Sequence, residues 1–387
     1  MSLTFHWFLP TQGDGRGVIG GGHGADVVSA AARRTREPSV EYLAQIARAA
    51  ENLGFEGVLT PTGAWCEDAW LTTAMLVAHT RRLKFLVAFR PGLITPTLAA
   101  QMAGTYQRLS GGRLLLNVVT GGESAEQRAH GDFLDKEARY RRTDEFLRVV
   151  DALWEGGTVD FAGEHVTVEG ATLHRPPHPR PPVYFGGSSP IALEVAAARV
   201  DTYLTWGEPP DAVADKIERV RSAAAAHGRN PGYGIRLHVI SRDTEEEAWD
   251  QARRLLDGIS PETIAEVQRN LRRSESEGQR RMLDLHGGDP ADLEIHPNLW
   301  AGVGLVRGGA GTALVGGHTQ VADLIERYHR VGIDEFVLSG YPHLEEAYWF
   351  GEGVLPILAE RGLWHHPDGP AAPSYPAVPF AAAGAPS

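Results

Sequence analysis

The amino-acid sequence predicts an α/β protein that folds as a (β/α)8 TIM barrel with insertion segments. Short apolar runs rich in β-branched residues alternate with longer segments whose apolar residues recur at helical spacing. Eight such runs occur along the 387 residues, most are followed by a helical segment, and no strong linker separates two halves. Apolar runs joined by helices are typical of a buried parallel sheet, and eight units favour a closed barrel. A doubly wound sheet is the alternative.

The first four units are read in chain order from short apolar runs bounded by turn residues. Strands are predicted over 3–10, 57–61, 83–89 and 113–122, and helices over 39–54, 69–80, 97–111 and 141–157. The helical segments are long enough to bury one face against a sheet, whereas the strand runs are too short to form helices.

The last four units repeat the pattern. Strands are predicted over 183–187, 202–207, 234–241 and 335–342, and helices over 191–200, 211–229, 244–259, 319–332 and 344–362. We therefore expect one barrel domain over residues 1–364, followed by a disordered Pro/Ala-rich tail over 365–387.

Three segments exceed the minimal barrel. Residues 11–37 are glycine-rich and then basic, and residues 158–173 alternate like a surface hairpin. Residues 259–317 form a long excursion before the last helix and strand. Insertions that follow barrel strands are where substrate chemistry is usually placed.

Composition excludes several classes of function. The net charge of −12 argues against nucleic-acid binding, which needs a basic surface. No run approaches the ~20 apolar residues of a membrane span, and the first residues lack the layout of a secretion signal. The single cysteine suits a reducing cytoplasm, where we expect the protein to reside.

Functional residues of a TIM barrel lie at the carboxyl ends of its strands. Here those positions are polar, aromatic or cationic, with almost no carboxylates: Thr62, Cys66, Arg90, Asn117, Thr120, Ser188, Ser189, Trp206, Arg236, His238 and Tyr341. Such a set predicts a pocket for an anion, in contrast to the paired carboxylates of acid/base hydrolysis.

Two stretches carry most of this prediction. Arg236 and His238 are two residues apart on one strand, so both side chains point to one face, which we expect to be the barrel interior. In FGGSSP, the turn with Ser188 and Ser189 opens a helix and could bind a phosphate, or it could be an ordinary helix cap.

Other candidates have simpler interpretations. Cys66 lies beside two acids, which should not lower the pKa of its thiol, so a thiolate nucleophile is not expected. His343, Glu345 and Glu346 are predicted to start a surface helix. None of the sixteen histidines has a metal-site spacing such as HExxH, so no metal is predicted.

The stretch GLVRGGAGTALVGG, residues 304–317, matches neither of two phosphate-binding templates. A dinucleotide fingerprint from Gly302 would need glycine at Arg307, and a Walker loop from Gly304 would need lysine at Ala310. We interpret the stretch as a mobile closing loop that carries one cation, Arg307.

Nine stretches together resemble the two-component, reduced-FMN-dependent alkanesulfonate monooxygenases of the bacterial luciferase-like superfamily. They are WFLPTQGDG, CEDAW, RLKFLVAFRPG, NVVTGG, VYFGGSS, YLTWGEPP, GIRLHVI, NLWAGVGLVRGGAGTALVG and FVLSGYPHLEEAY, in family order from residue 7 to about residue 348. The resemblance implies a TIM barrel, usually a homotetramer, that uses reduced FMN and O2 to release sulfite and an aldehyde from a small sulfonate. A separate NAD(P)H-dependent FMN reductase would be its transient partner.

The resemblance also assigns roles to residues. The catalytic positions fall on Cys66, Arg236, His238, Arg307 and Tyr341, and the two arginines also bind substrate in a pocket lined by Trp206. Analogy with related flavin barrels implies that five residues bind FMN. Four of them lie at predicted strand ends, and Tyr140 directly precedes the helix 141–157: Asn117, Thr120, Tyr140, Ser188 and Ser189.

Two departures concern the pocket mouth. The loop after FLPTQGDG is longer than in the family and holds no acid until Asp26, and Ala64-Trp65 stands where an arginine and a serine are common. Both put substrate size in question. The alternative substrate is therefore another small organosulfur compound, such as methanesulfonate or a sulfone. The remote alternative is that the protein binds flavin without turnover.

Overall fold

A computed structural model of the chain describes residues 2–18, 36–290 and 292–369. Its strands are β1 Thr4–Phe8, β2 Gly57–Thr60, β3 Lys84–Phe89, β4 Leu114–Val118, β5 Val159–Ala162, β6 Thr167–Ala171, β7 Val183–Gly186, β8 Thr202–Trp206, β9 Gly232–Arg242, β10 Glu294–His296, β11 Leu299–Trp300, β12 Ala313–Gly317 and β13 Glu335–Ser339. Its α-helices are α1 Val40–Leu53, α2 Ala69–Leu76, α3 Pro96–Ser110, α4 Ser124–Ala129, α5 Lys136–Glu155, α6 Pro190–Arg199, α7 Pro210–Ala226, α8 Glu245–Leu256, α9 Pro261–Leu271, α10 Glu277–Asp284, α11 Val303–Val306, α12 His318–Arg330 and α13 His343–Glu360.

Eight parallel strands close into a ring. The order around it is β1, β2, β3, β4, β7, β8, β9 and β13, and β13 pairs again with β1. All eight strands predicted from the sequence are present, so the (β/α)8 TIM barrel is confirmed. The doubly wound alternative is wrong because such a sheet stays open, whereas β8 pairs with β9 and completes the ring.

Alternation of side chains along each strand builds two layers of core. Inward-facing residues fill the barrel as one buried cluster: Phe8, Leu59, Leu86, Leu115, Tyr184, Leu204 and Val337. Their neighbours along the strands, such as Trp7 and Val58, face outward into the large core beneath the helices. Local signals delimit the helices: Ser39 caps the start of α1, and Gly54, with a φ of 91°, ends it.

The strand β9 is unusually long because it pairs twice along the same edge. Residues 232–236 pair with β8, and residues 238–242 pair with β12. The excursion over 259–317 is thereby joined to the barrel wall. The stretch 304–317, predicted to be a mobile closing loop, forms α11 and β12 at its two ends, and nearly all of its residues are buried. Its motion stays a prediction.

The remaining predicted segments lie at the periphery. The hairpin over 158–173 is confirmed as β5 and β6, which pair antiparallel, and the residues of β5 alternate in exposure. Beyond α13, the His366 ring packs edge-on against Trp364. The rest of the predicted tail, residues 370–387, lies outside the described residues, as do residues 19–35 of the first insertion. Within the described ranges, no helix combines the length and apolarity needed to cross a membrane.

Candidate active site

A cleft opens at the carboxyl ends of β4, β7, β8 and β9, four neighbours in the ring. It encloses about 1060 Å³ of empty space, part of it open to solvent. The predicted residues Asn117, Thr120, Tyr140, Ser188, Trp206 and Arg236 all line it. The segment 274–279 at the start of α10 forms another wall, and a Cβ at Gly278 would lie 3.1 Å from the Trp206 ring. The long insertion therefore packs closely over the cleft.

The turn between β7 and α6 presents backbone and hydroxyl groups at this cleft. Gly187 permits a close approach, because a Cβ there would lie 2.6 Å from Ala192 Cβ and 3.3 Å from the Tyr140 hydroxyl. Ser189 is the N-cap residue of α6, yet its side chain makes no capping bond. Its Oγ is buried and has no hydrogen-bond partner among the residues that the structure describes. A buried hydroxyl without a partner, beside the first N–H groups of a helix, fits a phosphate group.

A second cluster lies deeper, where β9 and β13 meet the insertion. Arg236 and Arg307 are each 7 % exposed, and His238 and Tyr341 are each 2 % exposed. The two guanidinium carbons lie 4.9 Å and 5.8 Å from the centroid of the Phe8 ring. Arg236 lines the cleft, whereas the other three cluster residues lie behind it. The structure thus assembles four of the five predicted catalytic residues.

The two arginines have no carboxylate partner in the part of the chain that the structure describes. Within the described ranges neither guanidinium forms an ion pair: Arg236 donates to the carbonyls of Leu237 and Val337 and to Ser339 Oγ. Burial, and next the charge of Arg307, lower the pKa of Arg236 from 12.5 to about 9. A pKa of about 9 leaves Arg236 charged at neutral pH, so the site holds an unpaired positive charge in a desolvated space.

His238 is held as a neutral imidazole. Burial and the charges of both arginines lower its pKa well below the ordinary value. Its Nδ1 lies 2.8 Å from Ser339 Oγ, which itself accepts a bond from Arg236, and its Nε2 lies 3.1 Å from the Ala310 carbonyl. Because a carbonyl can only accept, the shorter contact with Ala310 assigns the proton to Nε2 and leaves Nδ1 as the acceptor. Arg307 Nη1, 3.4 Å from the same Nε2, is then a neighbouring donor without a hydrogen bond to it. His238 therefore carries no charge that would help to neutralise an anion.

The comparison with family models decides the family. The model of luciferase-like monooxygenases matches residues 3–335. The chain belongs to the luciferase-like monooxygenase family.

Solved structures agree with this fold. A riboflavin lyase, RcaE, solved with modified FMN and riboflavin, is 21% identical with a TM-score of 0.78, over 95% of this chain and 93% of that chain. The long-chain alkane monooxygenase LadA is 20% identical with a TM-score of 0.74, over 94% and 93%. DmoA from Hyphomicrobium sulfonivorans is 19% identical with a TM-score of 0.72, over 94% and 89%. At these identities the likeness shows the fold.

In this luciferase-like monooxygenase, Cys66 belongs to a different cluster from the arginines. Its Sγ donates to the Gly63 carbonyl at 3.6 Å, and the nearby buried Arg90 pairs with Glu126 at 2.7 Å. Burial raises the pKa of the Cys66 thiol to about 11. A protonated thiol agrees with the expectation that Cys66 is no thiolate nucleophile, which stays a prediction, and Cys66 makes no described contact with the arginine cluster.

The monooxygenase also buries a pair that the sequence interpretation missed. His343 does start a helix, but a surface helix is wrong for His343 and Glu346, which are 1 % and 2 % exposed. His343 Nδ1 donates to Asp14 Oδ1 at 2.9 Å, and the His343 ring centroid lies 5.2 Å from that of Tyr341. Both residues follow a strand end, so the rule that found Tyr341 could have found them.

Among the described residues, no three His, Cys, Asp or Glu side chains lie close enough together to hold an ion.

Proposed function

We propose that this protein is a reduced-FMN- and O2-dependent monooxygenase that cleaves alkanesulfonates to sulfite and an aldehyde. One observation carries the choice of substrate: two buried arginines, Arg236 in the cleft wall and Arg307 behind it, lie against the same Phe8 ring, and neither has a carboxylate partner among the described residues. Buried charges are normally paired, so an unpaired pair of guanidinium groups favours an anionic ligand that completes the site.

A sulfonate suits this pocket chemically. Its three oxygens accept charge-assisted hydrogen bonds, and a guanidinium can donate two of them side by side. Within the described ranges, the buried Nε of Arg307 and the buried hydroxyl of Tyr341 have no hydrogen-bond partner. These free donors match acceptor oxygens.

Two further groups would handle protons and oxygens during the reaction. Burial raises the pKa of Tyr341, so its hydroxyl stays protonated and can donate to an oxygen that gains negative charge. Neutral His238 can orient a substrate atom or exchange a proton with it. The burial of both residues excludes water from the reacting atoms.

The wider cleft supports FMN as the cofactor. Reduced FMN, together with O2, would supply the oxygen atom that enters the substrate. Asn117, Thr120 and Tyr140, which line the cleft, would contact the ring and the ribityl chain. Ser188, which also lines it, and Ser189, the N-cap residue of α6, would contact the phosphate. Reduced flavin must come from elsewhere, so we propose an NAD(P)H-dependent FMN reductase as a transient partner of an oligomeric enzyme.

The experiment is sulfite release from a panel of sulfonates of increasing chain length, with FMN, NADH and an added flavin reductase. We expect sulfite from at least one member of the panel and none when the reductase is omitted. A folded, FMN-binding protein that yields no sulfite from any member would refute the proposal. Product formation from an uncharged sulfone that persists in Arg236→Met and Arg307→Met would instead establish the second substrate class.

A further inference from the structure

The cleft carries a second cation that no predicted role uses. Lys136 lines it, on the first turn of α5, and it is one of only three lysines in the chain. The other two lie elsewhere: Lys84 pairs with Glu56 at the start of β3, and Lys216 is buried against Glu208. Lysine is therefore rare here, and a single one faces the proposed cofactor.

Lys136 and the turn between β7 and α6 lie on the same side of the cleft. Tyr140 follows Lys136 by four residues, so both side chains project from one face of α5. A Cβ at Gly187 would lie 3.3 Å from the Tyr140 hydroxyl, which places that face of α5 against the turn before α6. Ser188 of this turn and Lys136 both line the cleft.

The cations mark two borders of the cleft. Lys136 stands on the side of β4 and α5, Arg236 stands on β9, and β7 and β8 lie between them in the ring. A phosphorylated flavin and a sulfonate are two anions, and the proposed function requires both to bind at once. With Lys136 at one border and Arg236 at the other, each anion has its own cation, and the two negative charges stay apart.

The lysine is free to act on a ligand. Its side chain is half-buried, and Nζ donates one hydrogen bond, to the Glu275 carbonyl at 2.7 Å. An ammonium group has three donors, so two remain for phosphate oxygens while the first holds the insertion in place. The serine hydroxyls and helix N–H groups supply hydrogen bonds, and Lys136 supplies the formal charge that a phosphate dianion needs.

We propose that Lys136 binds the phosphate group of the flavin and makes the protein select FMN over riboflavin. This inference rests on the proposed use of FMN, and it is independent of which substrate is oxygenated. It concerns a specificity-determining contact, so it can be tested by binding alone.

The experiment measures the dissociation constants of oxidised FMN and riboflavin by flavin fluorescence for the wild type, Lys136→Met and Lys136→Arg. We expect Lys136→Met to weaken FMN binding at least tenfold and riboflavin binding less than twofold. Lys136→Arg should keep most of the FMN affinity. Added salt should weaken FMN binding in the wild type more than in Lys136→Met, because a charge contact is screened.

The matched control is Lys84→Met, which removes an exposed ion pair at the other end of the barrel and should leave both constants unchanged. An equal loss of both flavins, or no loss of FMN, in Lys136→Met would overturn this inference whatever the sulfite assay shows. A wild type that binds neither flavin would overturn both proposals. Discrimination with no sulfite from any sulfonate would uphold Lys136 and refute only the proposed substrate.

Discussion

Replacing Arg236 by methionine tests whether the pocket stores unpaired charge for an anion. Lowering the pKa from 12.5 to about 9 corresponds to about 5 kcal/mol against the charged guanidinium at neutral pH. Its hydrogen bonds to the Leu237 carbonyl and Ser339 offset about 1.5 kcal/mol each, and the one to Val337, at 3.4 Å, offsets less. Losing all of them should leave the free protein unchanged or more stable by up to about 2 kcal/mol.

The assay is thermal unfolding at a fixed scan rate, where 2 kcal/mol corresponds to about 3 °C for a chain of this length. Arg242→Met is the matched control, since Arg242 also lies on β9 but pairs with the buried carboxylate of Glu346. Breaking that pair leaves an uncompensated buried charge and should cost about 3–5 kcal/mol. The contrast between a paired and an unpaired arginine of one strand isolates the effect of the missing countercharge.

A ligand arm completes this prediction. A sulfonate substrate at about 100 times its Kd should stabilise the wild type by about 2.7 kcal/mol. Arg236→Met should lose most of this ligand-induced stabilisation and at least 99% of sulfite production. A loss of this size corresponds to about two charge-assisted hydrogen bonds. A variant that is destabilised by more than about 2 kcal/mol would refute the reasoning, because Arg236 would then be a structural residue held by its carbonyl contacts.

Two further predictions concern the remaining catalytic candidates. Arg307→Ala should abolish sulfite production but change FMN affinity by less than about threefold, because Arg307 is absent from the cleft lining. Loss of flavin binding would instead indicate that the stretch 304–317 binds phosphate. At about pH 8, iodoacetamide should label Cys66 at least a hundredfold more slowly than free cysteine, since a pKa of about 11 leaves about one thiol in a thousand ionised, and rapid labelling followed by mass spectrometry would contradict its burial.

Local sequence signals predicted the parts of the site that depend on one strand or one turn. Arg236 and His238 share a face because side chains alternate along a strand. This alternation also holds in a strand that is buried on both sides. The turn at Ser188 and Ser189 precedes a helix because Pro190 fits the first helical position. The barrel likewise follows from repeated local patterns, which is why all eight of its strands were predictable.

Contacts between distant segments were not predictable in this way. The acids after His343 resemble a solvated helix start, but His343 is buried because Asp14, 329 residues away, accepts bonds from its ring and from its backbone N–H. Glycine is uncommon in β-strands, yet residues 313–317, with two glycines, form β12. They do so because the free edge of β9 beyond Arg236 offers them hydrogen-bond partners. Neither partner is visible from the local pattern.

The glycines of the stretch 304–317 serve close packing in this structure. A Cβ at Gly311 would lie 2.6 Å from Gly304 Cα, so the backbone folds back on itself at a separation that only glycine allows. This fold is held by Gln268, whose side-chain amide donates to two carbonyls of α11, and by Gln279, which accepts from the Gly309 N–H.

Those contacts explain how Arg307 is kept beside another arginine. Repulsion between two buried guanidinium groups favours withdrawal of Arg307, but the backbone around it is fixed on one side by the two glutamines and on the other by the β12–β9 ladder. The barrel thus supplies one cation and the insertion the other, and neither can relax to find a carboxylate. An anion that bridges both relieves the repulsion, so its binding should also tighten the insertion on the barrel.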